Sequence, residues 1–503
     1  MPPTLLLGGN NLTRDDFYDV ALARRRVTLA PSARRKMLRS RAMVEELIRK
    51  KETVYGVTTG VGSLSTEHIE PDQARELQLN VIRSHACGVG EPLGEAATRG
   101  ILLLRANVLA MGLSGVRPAV ASRLCDFLNH GIHPVIPSRG SVGASGDLAP
   151  LAHAALALVG EGEVSFQGKR LAARTALKKA RLKPLRLEAK EGLSLVNGTQ
   201  AMLSLGLLAL REAEILVDTA DVAGALSLDA LRGSTRPFDE RLHAVRPHAG
   251  QMTTARNLAR LNFGSTINES HRGCGRVQDA YSLRCMPQVH GAIRDGLDYA
   301  RTVFETEMNS ATDNPLVFAR AGEVISGGNF HGQPLATALD FMAILLAQLG
   351  NISERRIDRI VNPLTSELPP FLARNAGLES GFMLAQVTAA ALASENKLFA
   401  HPASIDTIPT SGNKEDFVSM GMTAALKLRP MLANLAQILA IELLVAAQAI
   451  DSLAPLVTGL LAEKARRIVR RVSAPLIRDR ELHTDIETVA RLVTGGRFAQ
   501  ILK

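Results

Sequence analysis

The feature that most limits the possible folds of this chain is a series of long segments with apolar residues at helical spacing. They cover residues 200–223, 287–306, 334–351, 380–397, 417–451 and 456–472. Several are longer than 17 residues, and helices of that length bury their apolar faces most readily against one another. The sequence therefore predicts a mainly α protein with a long central helix bundle.

The first part of the chain alternates shorter helical patterns with loops. Residues 54–65 (VYGVTTGVGSLS) and 131–146 (GIHPVIPSRGSVGASG) are rich in glycine and disfavour a regular helix. Residues 71–129 are predicted to be helical with breaks, and residues 163–171 to form two strands around a turn. A helix is predicted to resume at Leu148, with Asp147 as its N-terminal cap or first-turn acid. We place a boundary between an N-terminal, loop-rich helical domain, residues 1–195, and a long-helix bundle domain, residues 196–503.

Composition argues against nucleic acid as a partner. The net charge is +10, but the basic residues are dispersed, Trp is absent and there are only 4 Tyr. Aromatic platforms on which bases could stack are therefore scarce. A solvated basic surface, which would also attract a carboxylate substrate, explains the charge better.

The same sequence argues against a membrane or an oxidising compartment. The apolar stretch 431–450 contains Asn434, Gln437, Glu442 and Gln448, which favours a buried core helix over a membrane span. The N-terminus carries only a three-leucine apolar run and no charged segment before it, so no secretory signal is predicted. Four scattered cysteines without a CxxC pair predict a reducing, cytoplasmic location.

The segment most suggestive of chemistry is GSVGASGD, residues 140–147. A flexible Gly/Ser loop is one interpretation. A phosphate cradle is another, but no Lys-Ser/Thr follows the last glycine, and Asp147 would repel phosphate. The third is more specific, because an Ala-Ser-Gly tripeptide in a bent loop can cyclise when the Gly146 amide nitrogen attacks the Ala144 carbonyl, and only glycine leaves room for that approach. Loss of water from the ring and from Ser145 then gives a methylidene-imidazolone, an electrophile that no ordinary side chain offers.

At this point the sequence resembles the aromatic amino acid ammonia-lyases and, within them, the histidine ammonia-lyases. The string GSVGASGDLAPLAH, residues 140–153, is similar to their signature, and other matching motifs run through nearly the whole chain. Among them are YGVTTGVG (55–62), NGTQ (197–200), VQD (277–279), YSLRC (281–285), DNPL (313–316) and SGGNFH (326–331). The resemblance implies a 4-methylidene-imidazol-5-one formed from Ala144, Ser145 and Gly146, without a metal.

The resemblance also assigns roles to the remaining catalytic residues. Tyr55 is the matching base for the β-proton, and Asn197 would hydrogen-bond the oxygen of the imidazolone ring. Tyr281 would lie beside the prosthetic group and assist proton handling or positioning.

Other matching positions are implied to bind the substrate. Arg284 offers a bidentate fork for the substrate carboxylate, Gln278 matches a site position, and Asn314 and Phe330 would help to close the pocket. The family is homotetrameric, which implies active sites completed by neighbouring chains.

Two places bear on the choice of amino acid. The histidine enzymes resemble this chain in the pair Ser84-His85, and they have a glutamate where Glu415 stands. A polar pair and a carboxylate suit an imidazole, which needs a donor and an acceptor. We therefore expect elimination of ammonia from L-histidine to give trans-urocanate.

Some positions depart from the family pattern. Phe417 replaces the usual His, Ala280 the usual Pro and Met286 the usual Gln. Phe417 and Met286 make the neighbourhood more apolar and leave tyrosine, phenylalanine or a modified histidine open as substrates.

Two further functions also stay open. One is a 2,3-aminomutase with the same prosthetic group, which returns the ammonia to the β-carbon. The second is a non-catalytic basic scaffold that binds nucleic acid, against which the presence of Ser145, Tyr55 and Asn197 argues.

Overall fold

A computed structural model describes residues 3–70 and 72–503 of the chain. These residues form a mainly α-helical protein, as predicted. By their contacts they divide into two compact units, each made of three stretches of chain. The first unit comprises Met1–Leu208, Arg301–Asp340 and Pro402–Leu426, and the second comprises Ala209–Ala300, Phe341–His401 and Lys427–Lys503. The predicted boundary after residue 195 stays a prediction, and the compact units do not follow it, because stretches distant in sequence complete each core.

Eight of the described α-helices lie wholly in the first unit. They are Arg14–Ala21, Pro31–Arg49, Ala74–His85, Glu95–Ala110, Pro118–His130, Leu148–Leu158, Ala173–Lys179 and Glu191–Val196. Local signals explain several ends: Thr13 and Asp16 form a capping box before the first helix, and Gly131, with φ 67°, ends the fifth. The predicted helices before and after residues 88–90 are confirmed, although Pro71, where that stretch was predicted to begin, lies outside the described residues.

The described strands are short and belong to the first unit. Leu5–Leu7 pairs with Val27–Leu29, Val89–Pro92 with Pro137–Arg139, and Leu316–Phe318 with Glu323–Ile325, while Ile132–Pro134, Glu163–Phe166 and Lys169–Ala172 form a three-stranded antiparallel sheet. The predicted strand pair at residues 163–171 is confirmed. Val164 and Phe166 are its buried positions, as the alternation of apolar and polar residues indicates.

Seven described α-helices lie wholly in the second unit. They are Glu240–Ala244, Ala249–Leu261, Thr266–Ser270, Tyr281–Arg284, Met383–Phe399, Leu460–Val472 and His483–Thr494. The core of this unit holds an ion pair between Arg356 and Glu442, and Glu442 also accepts hydrogen bonds from Ser227 at 2.7 Å and Ser353 at 2.5 Å. Such pairing removes the cost of burying a carboxylate among apolar side chains.

Four long helices contribute residues to both units. They are Gln200–Ala230, Met286–Met308, Gln333–Val361 and Gly421–Asp451. The last two are long and apolar enough to cross a membrane by length and composition, but 67% and 78% of their most apolar windows are buried inside the protein. Burial of that extent is what core helices show, in agreement with the interpretation of residues 431–450.

Candidate active site

The backbone around Gly146 is held against a second glycine of the first unit. Gly146 has φ +73°, and a Cβ atom placed on it would lie 2.2 Å from the Gly198 carbonyl oxygen. The two residues form a parallel bridge, and the Asp147 amide donates to the same oxygen at 2.7 Å. No side chain fits between these two backbones, so glycine is required at residue 146 for close approach as well as for a left-handed conformation.

Asp147 is the residue before helix Leu148–Leu158, as predicted, but it does not cap that helix with its side chain. Its Oδ2 atom instead accepts from the Ala201 and Met202 amides at 2.8 and 2.9 Å, and Ser141 donates to Oδ1 at 2.9 Å. Those amides belong to the first turn of Gln200–Ala230, where helix N–H groups have no partner within the helix. Asp147 thus occupies the predicted N-cap position, but its side chain makes no capping bond to its own helix. Burial raises the pKa of Asp147 to about 6, against the lowering effect of these hydrogen bonds.

Ser145 meets Glu415 across the loop. The Ser145 hydroxyl donates to Glu415 Oε1 at 2.7 Å, and the Thr410 hydroxyl donates to Oε2 at 2.6 Å. Thr410 and Glu415 also pair through their backbones around the turn between them. Both carboxylate oxygens therefore have donors, and Glu415 faces the tripeptide that is predicted to cyclise.

The Ser84-His85 pair ends helix Ala74–His85 and lies within electrostatic reach of Glu415. The Ser84 hydroxyl and His85 Nδ1 are 3.0 Å apart. Burial lowers the pKa of His85, while the Val81 carbonyl and the Glu415 carboxylate act in the opposite direction. Within the first unit, the two places predicted to select the amino acid thus lie near one another.

Tyr55 lies on the glycine-rich loop at residues 54–65, which is irregular as predicted except for a 3-10 helix at Gly62–Leu64. The Gly62 amide donates to the Tyr55 phenolic oxygen at 3.0 Å, so a donor points at the atom that would carry the charge of a tyrosinate. Gly62 in turn approaches the loop before Glu415, since a Cβ atom on it would lie 2.9 Å from Ser411 Oγ. The loop with the predicted base is thus packed against the loop with the predicted substrate carboxylate.

Asn197 and Asn314 are buried close to the loop that contains residues 144–146. The Asn197 carboxamide nitrogen is 3.5 Å from the Asn314 carbonyl oxygen, and its Oδ1 atom is buried without a hydrogen-bond partner among the described residues. Asn314 Oδ1 accepts from the Gly327 amide at 2.8 Å. The segment continues through half-buried Phe330 to Gly332, whose amide donates to the Gly143 carbonyl at 3.2 Å. The Asn197 carboxamide nitrogen carries two N–H donors and makes only the long contact to Asn314 among the described residues, so a donor is left for a group at residues 144–146.

The remaining predicted residues belong to the second unit. Tyr281, Gln278 and Arg284 lie on or just before the short helix Tyr281–Arg284, with the Tyr281 side chain 71% exposed and the Arg284 guanidinium 4.8 Å from its ring centroid. The Arg284 Nε atom is buried and has no partner among the described residues. Met286 is fully buried, and a Cβ atom on Gly224 would lie 2.4 Å from its sulfur. Met286 is thus a core residue, and the expectation that it makes the site more apolar is wrong.

Phe417 belongs to the first unit, and its side chain is 58% exposed. It stacks on His331 with the ring centroids 6.1 Å apart, and its carbonyl oxygen lies 3.1 Å from His331 Nε2. The His331 ring therefore covers part of the apolar surface of Phe417. Sequence reasoning also missed Thr410, for which the sequence carries no signal, and Arg105, a single cation in the apolar run of residues 101–110.

The relatives found by sequence and by structure agree with one another. The family model "Aromatic amino acid lyase" matches residues 12–472. A histidine ammonia-lyase of Koribacter versatilis is 57% identical over 508 residues, covering 98% of each chain. Among solved structures, a histidine ammonia-lyase from Trypanosoma cruzi has a TM-score of 0.91 at 43% identity, over 99% of this chain and 95% of that one. A tyrosine aminomutase from Streptomyces globisporus has a TM-score of 0.94 at 40% identity, over 99% and 98%.

Proposed function

The chain belongs to the aromatic amino acid lyase family, and on that premise we propose that it eliminates ammonia from L-histidine to give trans-urocanate. Lyase chemistry and a small amino acid substrate follow from the relatives. The fold alone does not choose between histidine and tyrosine, because a histidine ammonia-lyase and a tyrosine aminomutase match it about equally well. The choice of substrate therefore depends on the site.

The observation that carries the choice of histidine is the Glu415 carboxylate at the Ser145 hydroxyl, 2.7 Å away, with the Ser84-His85 pair near it. An imidazole N–H can give this carboxylate a charge-assisted hydrogen bond. A phenyl ring in the same place would desolvate the carboxylate and offer nothing in return. The burial of Met286 in the core removes one of the two residues that favoured a less polar substrate.

Residues 144–146 fit the predicted prosthetic group. The loop is bent, Gly146 has the left-handed conformation and no room for a side chain, and the buried Asn197 carboxamide has an N–H donor that no described residue accepts. We propose that Ala144, Ser145 and Gly146 cyclise to a 4-methylidene-imidazol-5-one, which supplies an electrophile for the substrate amine. No group of three or more His, Cys, Asp or Glu side chains that could hold a metal occurs in residues 3–70 and 72–503.

In the proposed reaction each of the predicted site residues has a separate role. Glu415 and His85 orient the imidazole, and Asn197 donates a hydrogen bond where electron density grows on the ring oxygen. The Tyr55 phenolic oxygen, which accepts the Gly62 amide, takes the β-proton. Arg284 binds the substrate carboxylate through its planar fork. Tyr281 and Gln278 position these groups, and Asn314 and Phe330 close the pocket.

We propose that the active protein is a homotetramer with shared sites. The exposed state of Tyr281 and of its neighbour Val277, 71% and 94%, supports this, because large apolar side chains at that exposure favour contact with another chain. We also propose a cytoplasmic location, since Cys87, Cys125, Cys274 and Cys285 are all free thiols.

The decisive experiment incubates the purified protein with histidine, tyrosine and phenylalanine and follows the conjugated product by absorbance. We expect histidine to have the highest kcat/KM and free urocanate and ammonia to form in equal amounts. A higher kcat/KM for tyrosine or phenylalanine would refute the substrate, and accumulation of a β-amino acid would refute the lyase reaction.

A further inference from the structure

Arg105 is a buried cation for which the proposed mechanism has no use. It lies on helix Glu95–Ala110 and is 1% exposed. Burial lowers the pKa of its guanidinium to about 10, with Asp313 acting in the opposite direction, so the group stays charged at neutral pH. Its distance to the Asp313 carboxylate is 3.8 Å. A buried cation is costly to keep unless its donors are satisfied, so the partners of Arg105 are informative.

Those partners lie on three segments that meet at the site. Nη1 donates to the Asn197 carbonyl at 2.8 Å, to Gln200 Oε1 at 3.0 Å and to the Thr312 carbonyl at 3.2 Å, and Nη2 donates to the Ser194 carbonyl. The Gln200 amide nitrogen closes the ring of contacts by donating to the Thr312 hydroxyl at 2.7 Å. One guanidinium thus joins the end of helix Glu191–Val196, the start of helix Gln200–Ala230 and the segment before Asn314.

We propose that Arg105 is a positioning residue for the Asn197 carboxamide, an inference that rests on the proposed function. The carbonyl of Asn197 is bound by Arg105, and the next carbonyl, that of Gly198, is bound by the Asp147 amide at 2.7 Å. Two successive carbonyls bound from different elements fix the backbone at Asn197 and therefore the direction of its side chain. Lysine cannot replace this arrangement, because a single ammonium lacks the planar fork that reaches several carbonyls at once.

The same helix provides a matched control. Arg99 is also 1% exposed and also binds backbone carbonyls, those of Val20 at 2.9 Å and Leu128 at 3.1 Å. Neither carbonyl belongs to a site residue or to a segment that carries one. Arg99→Lys therefore reproduces the loss of a buried guanidinium fork without touching Asn197.

The test compares Arg105→Lys with Arg99→Lys in the full-length protein. For each, intact mass and absorbance report formation of the prosthetic group, urea unfolding reports stability, and histidine turnover gives kcat and KM. We expect Arg105→Lys to lower kcat on the order of 100-fold, the effect of a misplacement of about 1 Å. KM should change by less than about threefold, as for an interaction made only in the transition state. Arg99→Lys should keep the wild-type kcat, and equal kcat values for the two variants would overturn the proposal.

A double-mutant cycle tests whether Arg105 acts through Asn197. In an Asn197→Ala background, Arg105→Lys should lower the residual kcat by no more than about threefold, because the carboxamide that it positions is gone. An effect as large as in the wild-type background would overturn the proposal. If Arg105→Lys does not fold, Gln200→Met, which removes one acceptor of Arg105, should still lower kcat without raising KM, and an unchanged kcat would contradict us. A wild-type protein with neither turnover nor the mass deficit of the cyclised loop would instead overturn the proposed function itself.

Discussion

The Ser145 hydroxyl donates a hydrogen bond to Glu415 Oε1 at 2.7 Å, although 270 residues separate the two in the chain. This contact joins the predicted source of the electrophile to the predicted reader of the substrate ring. It also means that the hydroxyl lost as water when the prosthetic group forms is the one that Glu415 binds in the uncyclised chain. Substitutions at either residue should therefore affect the site in different, measurable ways.

Ser145→Ala should abolish the prosthetic group and nearly all turnover, because alanine has no hydroxyl to lose as water. Intact mass should show that the water supplied by residue 145 is not lost, and urocanate formation should fall to background. Ser165→Ala, on the exposed face of strand Glu163–Phe166, is the control and should change neither quantity. Normal activity of Ser145→Ala would show that the electrophile arises elsewhere.

Gly146→Ala should also prevent cyclisation, because the added Cβ atom would lie 2.2 Å from the Gly198 oxygen. Gly131→Ala is a matched control: it has φ +67°, but nothing lies within 4 Å of the new atom. That variant should lose only about 1 kcal/mol, the cost of a left-handed conformation, and keep its mass deficit. A mass deficit in Gly146→Ala would contradict the steric explanation.

Glu415→Gln should weaken histidine as a substrate. The loss of one charge-assisted hydrogen bond, about 1.5–3 kcal/mol, corresponds to roughly a 10- to 150-fold lower kcat/KM for histidine. Phenylalanine should gain relative to histidine, since a neutral amide costs less to desolvate than a carboxylate. Steady-state kinetics with both amino acids measure the change, with the exposed Glu67→Gln as control. An unchanged ratio between the two substrates would remove Glu415 from substrate selection.

Asp147 should make the folded protein less stable as the pH rises from about 4 to about 6. Its pKa is raised by burial to about 6 from 3.8, so the folded state binds the proton more tightly than the unfolded state. The contribution to stability is therefore full below the unfolded pKa and is lost as the pH passes the folded pKa, for a total of about 3 kcal/mol.

Asp147→Asn should remove this pH dependence without unfolding the site, since a carboxamide oxygen can still accept hydrogen bonds from the Ala201 and Met202 amides. The two proteins to compare are Ser145→Ala alone and Ser145→Ala with Asp147→Asn. Urea unfolding followed by circular dichroism at several pH values measures the difference between the two proteins. The same slope in both would mean that Asp147 does not titrate in that range.

Shared active sites predict complementation between inactive variants. Tyr55→Phe and Arg284→Lys, which alter different compact units, should each lose most activity and regain part of it when co-expressed. Ser145→Ala and Glu415→Gln alter two residues that touch within one chain, so their co-expression should give no more activity than Glu415→Gln alone. Absence of recovery in the first pair, with mixed oligomers demonstrated by mass, would contradict the proposed sharing.

Much of the fold was predictable because helical periodicity and glycine-rich loops are local properties of the chain. Helix Leu148–Leu158 begins where it was predicted, and helix Gln200–Ala230 begins on the predicted residue but continues past the predicted end at Ala223. Asp147 occupies the predicted N-cap position, but its side-chain bonds were not predicted, because they reach a helix that starts more than fifty residues later. Local capping preferences do not contain that information.

The site was predictable to the extent that its residues occur in recognisable motifs. The role of Arg105 was not predictable, because it depends on hydrogen bonds to the carbonyls of residues 194, 197 and 312. Those carbonyls come together only in the folded chain. Met286 was misjudged for a related reason, since its sequence neighbours Arg284 and Tyr281 suggest a pocket while its side chain packs against Gly224.

The bridge between Gly146 and Gly198 has a consequence for protein engineering. The eight residues 140–147 take their shape from partners outside themselves, including the Gly198 oxygen and the amides of Ala201 and Met202. Transplanting that octapeptide into a foreign scaffold should therefore give an ordinary flexible loop. A transferable unit would also need residues 197–202, which include the first turn of helix Gln200–Ala230, because their backbone groups hold the loop in its bent conformation.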